Sequence, residues 1–299
     1  PKMKNMNAAL FMSHGFNDWN VMPEHSYRIY KKAKEMGLDT KIYYHQNGHG
    51  GPPPTSQMNK WFTKYLHGID NGVENEENKA YIVREYDNRQ EPTAYKDYPN
   101  PDTSDVTLYL TSGAPQTGNL STIKQEKQGK ETLVDNYSFS GEALAQAEIT
   151  NHRLLYVTPK LSKDIHISGL AQINVKLASN KPAANLSVWL VSLPWNSSRR
   201  AKTTDNVITR GWADPQNYKS LTESEPLKTG KFYDVTFDLQ PDDQIIKAGQ
   251  QIGLLIFSSD KEYTLHPKPG TELTIDLDGT HLNLPVVGGA EIFNKAFKD

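Results

Sequence analysis

The sequence has no cysteine among its 299 residues. This absence excludes disulfide bonds, thiolate catalysis and zinc-thiolate sites for this chain, and it suits a reducing compartment. The sequence also has no apolar run close to the roughly 20 residues that a membrane helix needs. Its net charge is only -2. We therefore expect a cytoplasmic protein whose partners include neither a membrane nor a nucleic acid.

Several catalytic and binding motifs are absent as well. The sequence contains no phosphate loop, dinucleotide fingerprint or calcium loop, and no cofactor is expected. It also contains no G-x-S-x-G nucleophile elbow. The most similar segment, YSFSG at residues 137–141, lacks the first glycine and lies among β-type segments. No serine nucleophile is therefore visible in the sequence.

The first 75 residues carry alternating signals for strands and helices. Apolar runs at residues 8–14 and 40–45 predict two buried strands. Pro23 and Gly37 are suited to the start and the end of a helix between them, and a second amphipathic helix is predicted over residues 56–67. The order βαβα predicts a parallel sheet. Because two strands cannot bury both faces of such a sheet, we expect the chain to begin partway through a domain.

From about residue 78 the pattern changes to short segments of alternating hydrophobicity. Such segments occur at residues 80–85, 105–113, 184–192, 233–240, 252–259 and 271–277. In the second of them Val106, Leu108 and Leu110 place an apolar side chain at every second position, as in a strand with one buried face. The sequence therefore predicts an α/β fragment over residues 1–75, followed by an all-β sandwich or jelly-roll domain over residues 76–299.

Two candidate residues follow the two predicted strands of the first part. Asp18 comes after the first strand, and His49 comes 31 residues later, after the second. Since the carboxyl ends of parallel strands meet at one edge of a sheet, we expect both side chains there. The order acid then histidine is that of an α/β-hydrolase triad. Ser13 is a weak candidate for the nucleophile, because it precedes the acid in the same loop region.

Other interpretations of these residues remain open. Asp18 and His49 could simply form turns or face solvent. His45 and His49 are four residues apart and His14 ends the neighbouring strand, a pattern that would suit a metal site. However, Asn47 disfavours the helix on which histidines four apart share a face, and no metal is expected.

Aromatic residues in the second part suggest a further alternative. Trp189, Trp195 and Trp212 could line a groove for a peptide or a carbohydrate. Packing in the core is the more common role of such side chains. The basic cluster at residues 199–202 is interpreted as a solvated turn.

Both loops resemble those of a known family. HGFNDWNV at residues 14–21 and NGHGGPPP at residues 47–54 are similar to the acid and histidine loops of bacterial X-prolyl dipeptidyl aminopeptidases, as found in lactic acid bacteria. The resemblance continues through DYPNPDTSDVTLYL, VITRGWADPQN and LPVVGG, and it covers essentially the whole chain. These enzymes are α/β-hydrolases related to cocaine-esterase-like hydrolases.

The resemblance implies the C-terminal portion of a cytoplasmic serine peptidase, often a homodimer. Such an enzyme releases an N-terminal dipeptide from peptides with proline at the second position. Asp18 then looks like the triad acid and His49 like the general base. The first part looks like the last βαβα unit of the α/β-hydrolase sheet, and the second part like the family's jelly-roll domain.

The same resemblance implies that part of the catalytic site is not represented in this sequence. The family's serine elbow, oxyanion hole and amine-binding acidic groups lie in segments that would precede Pro1 of this sequence. We therefore expect the chain alone to be inactive and to need the N-terminal part of the catalytic domain as a partner. Two alternatives remain: a cocaine-esterase-like ester or acyl hydrolase, and a non-catalytic peptide-binding or carbohydrate-binding module.

Overall fold

The computed structural model describes residues 2–84 and 87–297. Within these residues the chain forms mostly β-structure in two sheets, and the smaller sheet has four strands. In spatial order these are β1 (Leu10–Gly15), β2 (Thr40–His45), β3 (Ala80–Val83) and β4 (Thr93–Tyr95). The first three run parallel, and β4 is antiparallel to β3. Both predicted strands of the first part are confirmed.

Two helices connect the parallel strands of this sheet. They are α1 (Glu24–Glu35) and α2 (Thr55–Tyr65). The first begins directly after Pro23 and ends before Gly37, whose φ of 75° lies in the left-handed region that favours glycine. Both predicted helices are confirmed. No helix in the described part of the chain is long and apolar enough to cross a membrane.

The larger sheet contains the remaining strands of the described chain. Its strands are β5 (Thr103–Thr111), β6 (Gly118–Ser121), β7 (Lys130–Val134), β8 (Arg153–Val157), β9 (Ile165–Gly169), β10 (Gln172–Ser179), β11 (Leu186–Leu193), β12 (Val207–Ala213), β13 (Tyr233–Asp238), β14 (Asp242–Ile246), β15 (Gln251–Phe257), β16 (Glu272–Asp276) and β17 (His281–Val287). Short helices α3 (Gly141–Gln146), α4 (Thr203–Asn206) and α5 (Gly289–Lys295) lie between or after these strands. Elsewhere in the described chain, 3-10 turns occur at Lys2–Asn5, Val73–Asn75 and Pro215–Asn217. Pairing is antiparallel except between β6 and β8.

The larger sheet curls around a main hydrophobic core. Its strands form a path from β12 at one end to β7 at the other. Side chains from distant points of this path nevertheless belong to one buried cluster. Examples are Val106, Ile173, Val188 and Leu273, each at most 2% exposed. An open sheet of this many strands has to curl to bury its apolar face, and the predicted alternation along the strand with Val106 is confirmed.

Polar and aromatic contacts join the two sheets. Gln46, directly after β2, donates from Nε2 to Asp242 Oδ1 at 2.7 Å, and Tyr98 donates to the carbonyl oxygen of Asp242 at 3.0 Å. Trp19, in the loop after β1, packs edge-on against Trp212 of β12 with ring centroids 6.0 Å apart. The loops at the carboxyl edge of the smaller sheet therefore rest on the larger one.

One expected β segment belongs to a different sheet from the one anticipated. The sequence predicts residues 80–85 to be part of the all-β region, but residues 80–83 form β3 and pair in parallel with β2. Glu85 at the end of that segment lies outside the described residues. A run such as Ala80–Val83 is apolar enough to be buried in either kind of sheet, so periodicity alone cannot assign it. The smaller sheet thus extends to Tyr95, and the division at residues 75 and 76 stays a prediction.

Candidate active site

Asp18 lies in the loop between β1 and α1. The residue is almost fully buried, at 2% exposure. Its Oδ1 accepts hydrogen bonds from the backbone amides of Asn20 at 3.1 Å and Val21 at 3.0 Å. Burial alone would raise the pKa of Asp18, but these amides and His49 outweigh it and hold the pKa below its usual value. Asp18 is therefore an ionised carboxylate at neutral pH.

His49 meets the other oxygen of this carboxylate. Its Nδ1 lies 2.8 Å from Asp18 Oδ2. Because an ionised carboxylate only accepts hydrogen bonds, Nδ1 carries the proton and donates it. The side chain of His49 is 68% exposed, and its Nε2 is left to accept a proton from solvent or a substrate group. The structure thus brings together the two residues that the sequence placed in separate loops.

His14 is a second partner of Asp18. Its Nε2 lies 3.2 Å from Asp18 Oδ2 and 2.8 Å from the carbonyl oxygen of Val21, and both of those atoms are acceptors. Nε2 therefore carries a proton, while Nδ1 faces the Ser26 hydroxyl at 2.6 Å. In the neutral imidazole Ser26 donates to Nδ1. In the sequence analysis His14 is considered only as a metal ligand, so its contact with Asp18 is not predicted. The signal that could have indicated this contact is the position of His14 four residues before Asp18, across a tight turn.

Gly15 allows the acid loop and the histidine loop to meet. It ends β1, and a side chain there would overlap the carbonyl oxygens of Asn47 and Gly48 in the other loop. The backbone amide of Asn17 also donates to the carbonyl oxygen of Asn47 at 3.3 Å. A glycine at this point is thus a condition of the close approach that joins Asp18 to His49.

An open cleft of about 510 Å³ lies over these groups. We call it the acid-histidine cleft; Ser13, His14, Asp18, Ser26, His49 and Gly51 are among its lining residues. Both serine hydroxyls are engaged away from His49. Ser13 donates to the carbonyl oxygen of Gly51 at 2.9 Å, and Ser26 binds His14. The weak candidacy of Ser13 as a nucleophile gains no support from this contact.

His45 differs from the two histidines around Asp18. It is completely buried, and its Nδ1 accepts from the backbone amide of Asn47 at 3.2 Å. Burial, together with the charge of Arg89, lowers its pKa to about 4, so the ring is neutral. In the described residues no group of three or more metal-binding side chains is arranged to hold a metal ion. His14 and His49 instead share Asp18.

The tryptophans of the second part mostly serve packing. Trp189 is 4% exposed and packs edge-on against Phe257. The indole nitrogens of Trp189 and Trp212 each donate to Asp260 Oδ2 at 2.9 Å. Trp195 is partly buried and lines a cavity distinct from the acid-histidine cleft. These contacts agree with the packing interpretation for Trp189 and Trp212.

Comparison with known families places the chain. A family model described as X-Pro dipeptidyl-peptidase C-terminal non-catalytic domain matches residues 71–291. The chain belongs to this family. The matched range of this chain includes β3, β4 and the whole larger sheet, whereas Asp18 and His49 precede residue 71.

Curated relatives extend the similarity to the first seventy residues. A putative Xaa-Pro dipeptidyl-peptidase of Rhodopirellula baltica is 60% identical over 288 residues, which cover 96% of this chain and 46% of the relative. A Xaa-Pro dipeptidyl-peptidase of Lactobacillus delbrueckii subsp. lactis is 28% identical over 325 residues, covering 91% of this chain and 39% of the relative. The chain therefore spans about half the length, or less, of the curated relatives that it matches.

Solved structures show the same fold at low identity. An aminopeptidase from a marine sediment archaeon, Thaumarchaeota archaeon, has a TM-score of 0.72 at 11% identity over 94% of this chain and 55% of its own. An α-amino acid ester hydrolase has a TM-score of 0.67 at 13% identity, over 91% of this chain and 54% of its own. A CocE/NonD family hydrolase from Staphylococcus aureus also scores 0.67 at 13% identity, over 93% and 54%. The β-rich fold of this chain is thus shared with these hydrolases.

Proposed function

We propose that Asp18 and His49 are the acid and the general base of a serine-type triad, in a longer Xaa-Pro dipeptidyl-peptidase of which this chain is a part. The observation that carries the proposal is the 2.8 Å contact between His49 Nδ1 and a buried, ionised Asp18. The curated relatives are named Xaa-Pro dipeptidyl-peptidases, and their names suggest the substrate class, which is peptides with proline at the second position.

The geometry suits general-base catalysis. With Nδ1 held by Asp18, His49 presents Nε2 to take the proton of a serine hydroxyl as it attacks the carbonyl carbon. The negative charge of Asp18 stabilises the imidazolium that forms. The same imidazolium then gives its proton to the leaving amine. Asp18 itself keeps its negative charge throughout, since four hydrogen-bond donors surround its carboxylate.

The nucleophile in this proposal comes from a part of the longer protein that this sequence does not represent. The two serines of the acid-histidine cleft bind Gly51 and His14 rather than His49. The longer protein would also supply the oxyanion hole and the groups that hold the substrate amine. A cytoplasmic homodimer is the proposed form of that protein, by resemblance to its family.

The finer description of the fold is proposed on the same basis. The parallel strands β1–β3 with α1 and α2 would be the end of an α/β-hydrolase sheet, and the larger, curled sheet would be a jelly roll. The similarity to solved hydrolases over more than nine-tenths of this chain supports this division. Acid and histidine loops at the carboxyl edge of the strands agree with it.

Hydrolysis of a glycyl-prolyl chromogenic anilide tests the proposal. The protein to use is the whole protein that contains this chain, as wild type and as His49→Ala. We expect the variant to lose activity by about 10³-fold or more, because the serine proton then has no acceptor. Its KM should change far less than its kcat, since His49 does not hold the substrate's amine or proline.

His67→Ala provides the matched control. His67 is an exposed histidine just after α2, and it does not line the acid-histidine cleft. It should retain wild-type activity. If His49→Ala is as active as wild type, the proposed role of His49 is wrong. If the folded wild-type protein hydrolyses aryl esters but not the anilide, the protein is an esterase and the proposed peptidase activity is wrong.

A further inference from the structure

A second cavity surrounds Arg210 of β12, apart from the acid-histidine cleft. Its volume is about 330 Å³, at the lower end of the range of roughly 300–1,000 Å³ for small-molecule sites. We call it the Arg210 cavity; its lining residues include Glu142, Trp189, Trp195, Lys202, Arg210 and Glu262. Neither Asp18 nor His49 lines it, although Trp19, next to Asp18 in the sequence, packs on Arg210.

Arg210 is held among aromatic rings. The residue is only 8% exposed. The central carbon of its guanidinium lies 4.1 Å from the ring centroid of Trp189, 4.7 Å from that of Trp19 and 5.3 Å from that of Tyr263. Cation-π contacts of this kind stabilise a desolvated guanidinium and fix its plane, but they leave its N–H groups without acceptors.

The hydrogen-bonding capacity of Arg210 is not used up within the protein. Its Nε is buried and has no hydrogen-bond partner in the residues that the structure describes. Asp260 is the nearby carboxylate that feels its charge, yet Oδ2 of Asp260 already accepts from the indoles of Trp189 and Trp212. A buried cation with unfilled donors is costly unless an anion completes it.

We propose that the Arg210 cavity binds a small zwitterion, such as a free amino acid or dipeptide. Arg210 would receive the carboxylate of the ligand, for which a planar guanidinium is the preferred partner. Glu142 and Glu262, both exposed residues on the lining, would attract its ammonium group. The indole rings of Trp189 and Trp195 offer apolar surface to the backbone atoms between the two charged ends.

The mixed charge of the lining argues against other anions. A phosphate dianion or a polyanion would meet the carboxylates of Glu142 and Glu262 as well as Arg210 and Lys202. Repulsion from those carboxylates offsets part of the attraction to the two cations. A ligand with one negative and one positive group can place each group next to lining side chains of the opposite charge. This inference goes beyond the proposed function and does not depend on it.

Tryptophan fluorescence gives a direct readout on this chain. The chain has five tryptophans, of which Trp189 and Trp195 line the cavity and Trp19 covers the guanidinium. The probes are diglycine, N-acetyl-diglycine, which lacks the ammonium group, diglycine amide, which lacks the carboxylate, and inorganic phosphate. We expect a saturable change with diglycine, and binding weaker by about tenfold or more for each of the other three.

Three variants locate the binding. Arg210→Gln should weaken diglycine binding by about tenfold or more, because the carboxylate loses a charged, two-pronged donor. Arg200→Gln, at an exposed arginine of the neighbouring loop, is the matched control and should bind as wild type does. Glu262→Gln, also at an exposed position, should weaken diglycine binding but not the residual binding of N-acetyl-diglycine.

Each outcome bears on the proposal. Urea denaturation shows whether Arg210→Gln folds; if it does not, the Glu262→Gln variant, the two modified diglycines and phosphate decide. Phosphate binding as tight as diglycine binding would reduce the cavity to a general anion site and overturn the zwitterion. Absence of a saturable signal, or equal binding by the folded Arg210→Gln and Arg200→Gln variants, would also overturn it. None of these measurements involves hydrolysis, so their failure leaves the roles of Asp18 and His49 untouched.

Discussion

Two aspartates of this chain have almost the same low solvent exposure, but their pKa values shift in opposite directions. Asp18 is 2% exposed and Asp242 is 3% exposed. The pKa of Asp18 lies below its usual value, whereas burial raises the pKa of Asp242 to about 7. Low solvent exposure by itself therefore does not decide which carboxylate is ionised. Burial is the largest effect on both pKa values, and hydrogen-bond donors outweigh it only at Asp18, which borders the open acid-histidine cleft.

The difference can be followed oxygen by oxygen. Both oxygens of Asp18 accept hydrogen bonds, from two backbone amides and from His14 and His49. In Asp242 only Oδ1 is satisfied, by Gln46 and the amide of Asp243, while Oδ2 is buried without a partner among the described residues. The adjacent charge of Asp243 adds to the effect of burial. Protonation of Oδ2 removes both the buried charge and its repulsion with Asp243.

The largest test of this contrast removes the charge of Asp18 and keeps its shape. Asp18→Asn leaves one acceptor oxygen for four donors, and the imidazolium of His49 loses its counter-charge. In the whole protein we expect hydrolysis of the glycyl-prolyl anilide to fall by about 10³-fold to 10⁴-fold. Asp70→Asn, at a surface aspartate paired with Lys64, is the control and should stay active. Activity of Asp18→Asn within a few-fold of wild type would show that the charge is not needed.

An intermediate effect is expected from Asp242→Asn in the dependence of stability on pH. The folded-state pKa of about 7 exceeds the unfolded value of about 3.9, so the folded chain keeps a proton that the unfolded chain releases. This contribution to stability is complete below about pH 4 and is lost as pH rises through about 7. The free energy of unfolding of wild type should fall relative to the variant by up to about 1.4 kcal/mol per pH unit across that window.

Urea denaturation at several pH values measures this effect. Asp70→Asn again serves as the control, because the hydrogen bond from Lys64 lowers the pKa of Asp70 and confines its effect to acid pH. A difference between wild type and Asp242→Asn that is constant with pH would mean that Asp242 is ionised when buried, and the contrast with Asp18 would disappear.

The smallest effect is expected from Ser26→Ala. This change removes the hydroxyl that faces His14 Nδ1 at 2.6 Å and leaves that partly buried nitrogen without a donor. We expect a loss of about 1–2 kcal/mol in the free energy of unfolding, measured by urea denaturation. Ser56→Ala, at an exposed serine of α2, should change stability by less than about 0.5 kcal/mol. If both variants unfold alike, Ser26 does not support the histidine that contacts Asp18.

Much of the smaller sheet and its edge was predictable from sequence. The apolar runs predict the two strands, Pro23 and Gly37 bound the first helix, and the amphipathic pattern over residues 56–67 predicts the second, because local periodicity and backbone preference determine these elements. The proximity of Asp18 and His49 followed from the rule that parallel strands end at one edge. Their role as acid and base stays a prediction.

Contacts between residues far apart in sequence were not predictable. The sheet to which residues 80–83 belong depends on pairing with β2, about 40 residues earlier in the chain. The surroundings of Arg210 join side chains from four separate segments, including Trp19 and Tyr263. A sequence pattern shows that such residues are arginine or aromatic, but not that their rings enclose one guanidinium.

The pairing of β2 with β3 has a consequence for how the molecule can be divided. The chain that completes the smaller sheet arrives after the helical segment that appeared to close it, and Gln46 is bonded to Asp242 on the other side. A break in the backbone near residue 75 would therefore leave two fragments that hold each other by strand pairing and side-chain contacts. We expect such a nicked chain to behave as a complemented pair, in which residues 1–75 depend on the pairing of β2 with β3, whereas the larger sheet keeps its own core.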